Sequence, residues 1–288
     1  MIQEIAPRKY FNQYHPDEPR EEDFVFLFED GHVYLKKGEN YTIPSFGEME
    51  SEVDKRDFIY LFSIDSNKFF LSGAGGVEVA RRQPDIFEKL SFRIFRELTP
   101  GWLAFAGFTA GHLFRWYNSH KFCGRCGTGM ECHETERAMH CPACGNIVYP
   151  SIAPAVIVGI CNGDSILLTK YANGPYKRNA LVAGFAEIGE TLEETVQREV
   201  LEEVGIRVKN IRYYKNQPWS LSDSILVGFF ADLDGSAEIV LDENELSEAS
   251  WIKRENVAKP ESDISLTAEM IECFRQGNER VQRDNYDI

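Results

Sequence analysis

The chain has 288 residues, with 46 Asp and Glu against 31 Lys and Arg, a formal net charge of −15. Its composition, 43% hydrophobic and 27% charged, is that of a globular protein and excludes wholesale disorder. So negative a surface excludes nucleic-acid binding by bulk charge, and any phosphate partner must be met by a local inversion of sign, for which a bound divalent metal is the usual device.

Residues 1–9 lack the basic start and apolar run of a secretory signal. The longest apolar stretches, such as 153–161, fall short of the ~20 residues that span a bilayer. The expectation is a cytoplasmic protein with no membrane partner. The length suggests two domains and a small insert. Residues 1–118 alternate short apolar runs with turn signals, as in Phe24-Val25-Phe26-Leu27-Phe28, then Glu29-Asp30-Gly31, then His32-Val33-Tyr34-Leu35. They predict strands in a small α+β domain, with helices over 84–96 and 104–117.

Residues 119–149 form a compact insert holding Cys123, Cys126, Cys141 and Cys144. The spacing is two C-x-x-C-G turns separated by fourteen residues. Such a turn lets two thiolates grip one ion, and the glycine takes the backbone conformation the turn needs. Two turns complete a closed tetrahedral Cys₄ site, which predicts a structural Zn²⁺. A redox dithiol needs only one pair and leaves the second unexplained. The residues between the pairs, among them Glu131, Glu134 and Glu136, do not make a basic face, so the predicted role is scaffolding. Cys132, Cys161 and Cys273 read as ordinary small residues.

Residues 150–288 follow an αβ pattern. Strands are predicted at 155–160 and 165–169, joined by the turn Cys161-Asn162-Gly163-Asp164. A helix follows at 191–204, then strands near 208–215, 224–233 and 236–241, and a last amphipathic helix over 265–276. In the first helix Thr191 with Glu194 reads as a capping box and Gly205 as the C-terminal stop. Leu192, Val196, Val200 and Val204 form the buried stripe. Glu199, Glu202 and Glu203 fall within a ~100° arc beside it. Three carboxylates so close repel one another, and hard oxygen ligands in that arrangement suit Mg²⁺ or Mn²⁺.

The full order is G-x5-E-x7-R-E-U-x-E-E-x-G-U, where U is aliphatic, met by Gly184, Glu190, Arg198, Glu199, Val200, Glu202, Glu203, Gly205 and Ile206. It resembles a complete Nudix box. The preceding Cys₄ insert and the N-terminal domain resemble the bacterial NADH pyrophosphatase family, which includes NAD-capped RNA hydrolases. That family carries S-Q-P-W-P-F-P-x-S downstream of the box. Here the stretch reads Asn216-Gln217-Pro218-Trp219-Ser220-Leu221-Ser222-Asp223-Ser224. The Q-P-W core and the last serine match, whereas Ser-Leu-Ser replaces the P-F-P centre.

The resemblance implies an α+β/αβ architecture in three parts. An N-terminal NADH-pyrophosphatase-like domain occupies 1–118, a zinc ribbon 119–149 and a Nudix hydrolase domain 150–288. The last has the Nudix fold, a mixed sheet sandwiched by helices. It also implies Glu199, Glu202, Glu203 and Glu245 as Mg²⁺ or Mn²⁺ ligands, with the Ala183 carbonyl. The general base is Glu203 or Glu202, and Arg198 orients the carboxylates. Phe185, Tyr149, Glu136, Gln217, Pro218, Trp219, Ser224, Lys37 and Arg93 are the implied substrate contacts. The implied reaction is hydrolysis of the diphosphate bridge of NAD(H) to AMP and nicotinamide mononucleotide, with removal of NAD caps from RNA 5′ ends, by a homodimer. The altered P-F-P segment keeps a rival substrate open: ADP-ribose, a dinucleotide polyphosphate or a nucleotide sugar. A non-catalytic sensor would fit a box that had lost its glutamates, and all are present.

Overall fold

A computed structural model describes residues 1–49, 53–173, 178–261 and 264–280. The chain folds as two compact units, one spanning Ile2–Ser151 and the other beginning at Ile152.

In the first unit the strands are β1 (Tyr10–Phe11), β2 (Phe24–Glu29), β3 (His32–Lys36), β4 (Phe58–Ile64), β5 (Asn67–Ser72) and β6 (Phe87–Ser91). They form one sheet in the order β1-β4-β5-β2-β3-β6, antiparallel except for the parallel pair β2–β5. Helix α1 (Ala74–Arg82) follows β5, and α2 (Gly101–Ser119) closes the domain. Alternation along β2 sends Val25 and Leu27 into a core with Val77, Val79 and Ala80 of α1. Phe26 meets Phe95 edge to face and Phe28 stacks on Phe114 instead. A Cβ on Gly107 of α2 would lie 2.1 Å from the Phe95 ring, so glycine is what lets the helix approach these aromatics.

The helix expected over 84–96 is not formed. Residues Phe87–Ser91 pair with β3 as an edge strand, and a 3₁₀ turn over Phe92–Arg96 follows. An open sheet edge leaves a row of unpaired backbone groups, and satisfying it outweighs a local helical pattern. The helix expected over 104–117 is present and longer. Beyond it, the short strands β7 (Glu131–Cys132), β8 (Met139–His140) and β9 (Ile147–Val148) make a three-stranded sheet.

The second unit is a mixed sheet with a helix on each face. Its strands are β10 (Ala153–Asn162), β11 (Ser165–Tyr171), β12 (Val182–Phe185), β13 (Arg207–Trp219), β14 (Ser224–Asp234) and β15 (Leu246–Lys253). The order is β13-β14-β10-β11-β15, with β12 also on β10 and the β10–β14 pair parallel. Along β10, Val156, Val158 and Ile160 pack with Val196, Val200 and Val204 of α3 (Leu192–Val204). Ile157 and Cys161 face α4 (Leu266–Arg275), packing with Met270 and Phe274. The two-residue period of one central strand thus builds both layers.

The strand expected over 236–241 is absent, and β15 takes the place of a strand that the pattern did not suggest. Residues 239–242 run past the end of α3, where the Val240 and Asp242 amides donate to the carbonyls of Val204 and Glu203 at 3.0 Å each. The last carbonyls of a helix have no partner within it, and this segment supplies two.

Candidate active site

Helix α3 begins as its sequence suggests. The Thr191 hydroxyl accepts from the Glu194 amide at 3.2 Å, and the Glu194 carboxylate accepts from the Thr191 amide at 2.8 Å. It ends at Gly205, whose φ of 68° is the left-handed conformation that glycine adopts at least cost. Val196, Val200 and Val204 are fully buried, so the rotation of the helix about its axis is set by packing.

That rotation gives the three carboxylates different surroundings. Glu202 is exposed and takes one arm of Arg198, with Nη1 to Oε2 at 3.1 Å. Glu199 takes the same arm at 2.7 Å and is largely covered. Glu203 is 3% exposed, and its Oε2 atom is buried without a hydrogen-bond partner. Burial, with the charges of Glu199 and Glu245, pushes its pKa from 4.5 to about 8. A backbone hydrogen bond from Ala183 opposes that shift. Burial also pushes Glu199 up, against the pull of Arg198.

Arg198 is held from behind. Its Nε and Nη2 donate to Glu190 at 2.6 and 2.9 Å, a two-armed pair, and Nη2 also donates to the Phe185 carbonyl at 2.9 Å. Glu190 further accepts from the Thr195 hydroxyl and the Glu187 amide. These bonds, that to Arg198 foremost, lower its pKa to about 2. Glu190 as the anchor of Arg198 is the part of this network that sequence reading left without a role. Its signal was its fixed place in the box.

Strand β12 forms the floor. Val156 pairs with Gly184 and Ile157 with Ala183. A Cβ on Gly184 would fall 2.0 Å from the Glu199 carboxyl carbon, so the glycine leaves the space that this carboxylate fills. Glu245 precedes β15 and is exposed. The segment laced to the end of α3 carries it close enough for its charge to act on both Glu199 and Glu203. Among the described residues these carboxylates do not converge as tightly as the cysteines do, because Glu199 and Glu202 are both drawn to Arg198. The set nevertheless fits a divalent cation. It offers hard oxygens, net negative charge and a buried acceptor oxygen with no other partner.

The Q-P-W stretch lies at the end of β13, where Trp219 pairs with Ser224 across a turn. Two of its expected substrate contacts are not at the surface. Gln217 is fully buried. Its Nε2 donates to the Ile264 carbonyl at 2.9 Å, and its Oε1 accepts from the Leu266 amide at 2.7 Å. It ties β13 to the first turn of α4. Ser224 is 1% exposed, with its hydroxyl 2.8 Å from that of Ser222. Both shape the hairpin, since a buried amide or hydroxyl must find its partners inside. Pro218 is exposed, and Trp219 and Leu221 are half-buried. Phe185 stands at the end of β12 with half its surface exposed.

In the first unit the four cysteine sulfurs lie within 4.8 Å of one another. Cys123–Cys144 and Cys126–Cys141 are separated by 3.7 and 3.5 Å. A tetrahedron of Zn–S bonds has edges of about 3.8 Å, so the sulfurs are already placed for the ion. Gly127 and Gly145 take φ of 76° and 69°, and their amides close the turns onto the Cys123 and Cys141 carbonyls. The Cys₄ cluster is a structural zinc site. On the same ribbon Tyr149 is 55% exposed and donates to Glu136 at 2.9 Å. Lys37 donates to the Pro84 carbonyl at 2.9 Å, and Arg93 is exposed in the 3₁₀ turn. Among the described residues no helix is long and apolar enough to cross a membrane.

Residues 151–272 match the NUDIX domain family, and residues 118–149 match the NADH pyrophosphatase zinc ribbon domain. The chain is 40% identical over 202 residues to the NAD-capped RNA hydrolase NudC of Enterobacter sp. (strain 638), covering 67% of this chain and 78% of that protein. It is 48% identical over 145 residues to the protein of the same name from Shigella dysenteriae, covering 50% of this chain and 56% of the relative. The aligned part thus spans little more than half of the Shigella protein. A solved NUDIX hydrolase from Nitrosomonas europaea is 25% identical, with a TM-score of 0.49, over 56% of this chain and 94% of its own.

Proposed function

The chain belongs to the NADH pyrophosphatase family of Nudix hydrolases, and from that premise we propose that it hydrolyses the diphosphate bridge of NAD(H) to AMP and nicotinamide mononucleotide and removes NAD caps from RNA 5′ ends. The single observation that carries the chemistry is the buried, unpartnered oxygen of Glu203 beside Glu199 and Glu245. Such a group is costly to the fold and is retained where it is used.

In this reading Glu199, Glu202, Glu203 and Glu245, with the Ala183 carbonyl, hold Mg²⁺ or Mn²⁺. When bound, the ions neutralise the phosphate oxygens and lower the pKa of the attacking water. The remaining steps belong to the chain. Arg198, locked by Glu190, fixes the direction of Glu199 and Glu202. Glu203 or Glu202 accepts the proton of the water. Gly184 leaves the space in which the Glu199 carboxylate lies. On the hydrolase domain Phe185 offers an exposed ring on which a base can stack. On the ribbon, Tyr149 offers another exposed ring, with the Glu136 carboxylate bonded to its hydroxyl. Pro218 and Trp219 border the substrate, with Gln217 and Ser224 shaping them from beneath. Lys37 and Arg93 are further cationic candidates for phosphate.

We assign 1–118, 119–149 and 150–288 to the N-terminal domain, ribbon and hydrolase domain, and the active species to a homodimer. Light scattering at micromolar concentration then gives twice the chain mass of 32.9 kDa, and a monomer mass would refute the dimer.

One observation favours a second substrate. Leu221 stands half-buried in the hairpin where the family has phenylalanine. A leucine cannot stack on a base as a phenyl ring does. ADP-ribose, dinucleotide polyphosphates and nucleotide sugars therefore belong in the same test. With Mg²⁺ or Mn²⁺, NADH and NAD-capped RNA are expected to release nicotinamide mononucleotide fastest, read by chromatography. Faster release of a nucleoside phosphate from another member would move the assignment to it.

A further inference from the structure

We infer that Arg137 is a positioning residue for substrate binding, anchoring the ribbon turn that carries Glu136 and thereby holding Glu136 against Tyr149. The inference rests on the reading of Glu136 and Tyr149 as substrate contacts.

The turn joins β7 to β8 and has its own internal bonds. The Thr135 and Glu136 amides donate to the His133 ring nitrogen at 3.4 and 3.3 Å. The His133 amide donates to the Ala138 carbonyl at 2.9 Å, and the Ala138 amide to the Glu136 carbonyl at 2.8 Å. Glu134, Thr135 and Glu136 at its tip are exposed, and the two N–H···N contacts are long. A loop tip of this kind frays unless something outside it holds it.

Arg137 supplies that hold. Its Nη2 donates to the Asn12 carbonyl at 3.0 Å, a bond that crosses 125 residues of chain. Its guanidinium lies 5.5 Å from the Tyr14 ring centroid. Its charge also reaches Tyr10 and Tyr117, whose phenols burial pushes up and Arg137 pulls down. The planar head therefore sits among three tyrosines of the N-terminal domain. One residue before it, Glu136 accepts the Tyr149 hydroxyl at 2.9 Å. Tyr149 follows β9, so this bond links the turn to the third ribbon strand at an exposed edge. Glu136 has no other anchor of comparable span among the described residues. Without Arg137 the tip of the turn frays, and Glu136 loses the register in which it meets Tyr149. This gives the N-terminal segment around Asn12 and Tyr14 a part in substrate binding.

The test uses the full chain with zinc bound and NADH as the probe. Arg137→Ala is expected to raise KM about 5–10-fold while kcat stays within about twofold. Glu136→Ala is expected to raise KM by a similar factor, and the double variant to raise it no further. Multiplying effects in the double variant, or an unchanged KM in Arg137→Ala beside a raised one in Glu136→Ala, would overturn the inference. An unchanged KM in Glu136→Ala overturns the substrate reading itself, and the inference with it. Should Arg137→Ala lose zinc, Arg137→Lys carries the test, because it keeps stem and charge but not the planar head. A raised KM at unchanged kcat then supports the role, and a wild-type KM refutes it.

Discussion

Replacing Glu203 with glutamine is expected to lower kcat by at least about 10³-fold, on the order of 4 kcal/mol of barrier, and at the same time to raise the melting temperature of the zinc-bound protein free of Mg²⁺ and Mn²⁺ at pH 8. The first effect follows from the proposed role. Glutamine keeps the shape but loses the charge that holds a cation and the basicity that takes a proton. The second follows from the burial of that charge. The folded pKa of Glu203, about 8, lies above its ordinary 4.5. The protonated group therefore favours the fold below about pH 4.5, and that contribution is lost as pH rises through about 8. Above that pH the wild type carries an unpaired buried carboxylate and the glutamine variant does not. The difference builds up above about pH 4.5, reaches on the order of 4 kcal/mol, or several degrees in Tm, at pH 8, and is only about 1 kcal/mol near pH 5. Melting curves at both pH values, with the ribbon zinc retained and no Mg²⁺ or Mn²⁺ added, read it directly. A variant that is inactive and also less stable at pH 8 would show that Glu203 serves the fold instead of the reaction.

The second large effect is expected from Gly184→Ala. The new Cβ would meet the Glu199 carboxylate at 2.0 Å, closer than any real contact. The backbone of β12 is fixed by its pairing with β10, so the side chain yields instead. A glutamate end is flexible, and its displacement costs the fold little. It also breaks the 2.7 Å bond from Arg198 and moves one carboxylate of the proposed cation site by more than an ångström. A displacement of that size costs about 10²-fold or more in kcat. The Tm is expected to stay within about 2 °C. Wild-type kcat/KM in this variant would show that the position of Glu199 does not matter.

The elements that could be read from the sequence are those whose causes lie within a few residues. Thr191 and Glu194 are three positions apart, and the cap they form needs nothing else. Gly205 terminates α3 by its own backbone freedom. The C-x-x-C-G turns form their chelate from neighbours in sequence, and the Cys₄ site follows from two of them. The stripe of Val196, Val200 and Val204 expresses the helical period alone.

Where the reading went astray, the cause lay far along the chain. Residues 87–91 had a helical look until β3 offered them an edge. Residues 236–241 had a strand look, but the end of α3 needed two amide donors more than the sheet needed another strand. The burial of Gln217, read from its motif as a substrate contact, could not be seen in the sequence either. Its side chain turned inward because α4, about fifty residues on, begins beside it.

By itself the sequence determined which side chains this protein has for its chemistry and on which local elements they ride: three glutamates on one capped helix, four thiols in two tight turns. Only the tertiary structure decided how those glutamates differ. Identical carboxylates on one helix became an exposed partner of Arg198, a covered neighbour under Gly184 and a buried acid with an idle oxygen. The reason is that a pKa and a ligand geometry are set by what surrounds a group in space. For Glu203, beyond the charge of Glu199 one turn back, those surroundings include β12 and the segment before β15, neither of which adjoins it in the chain.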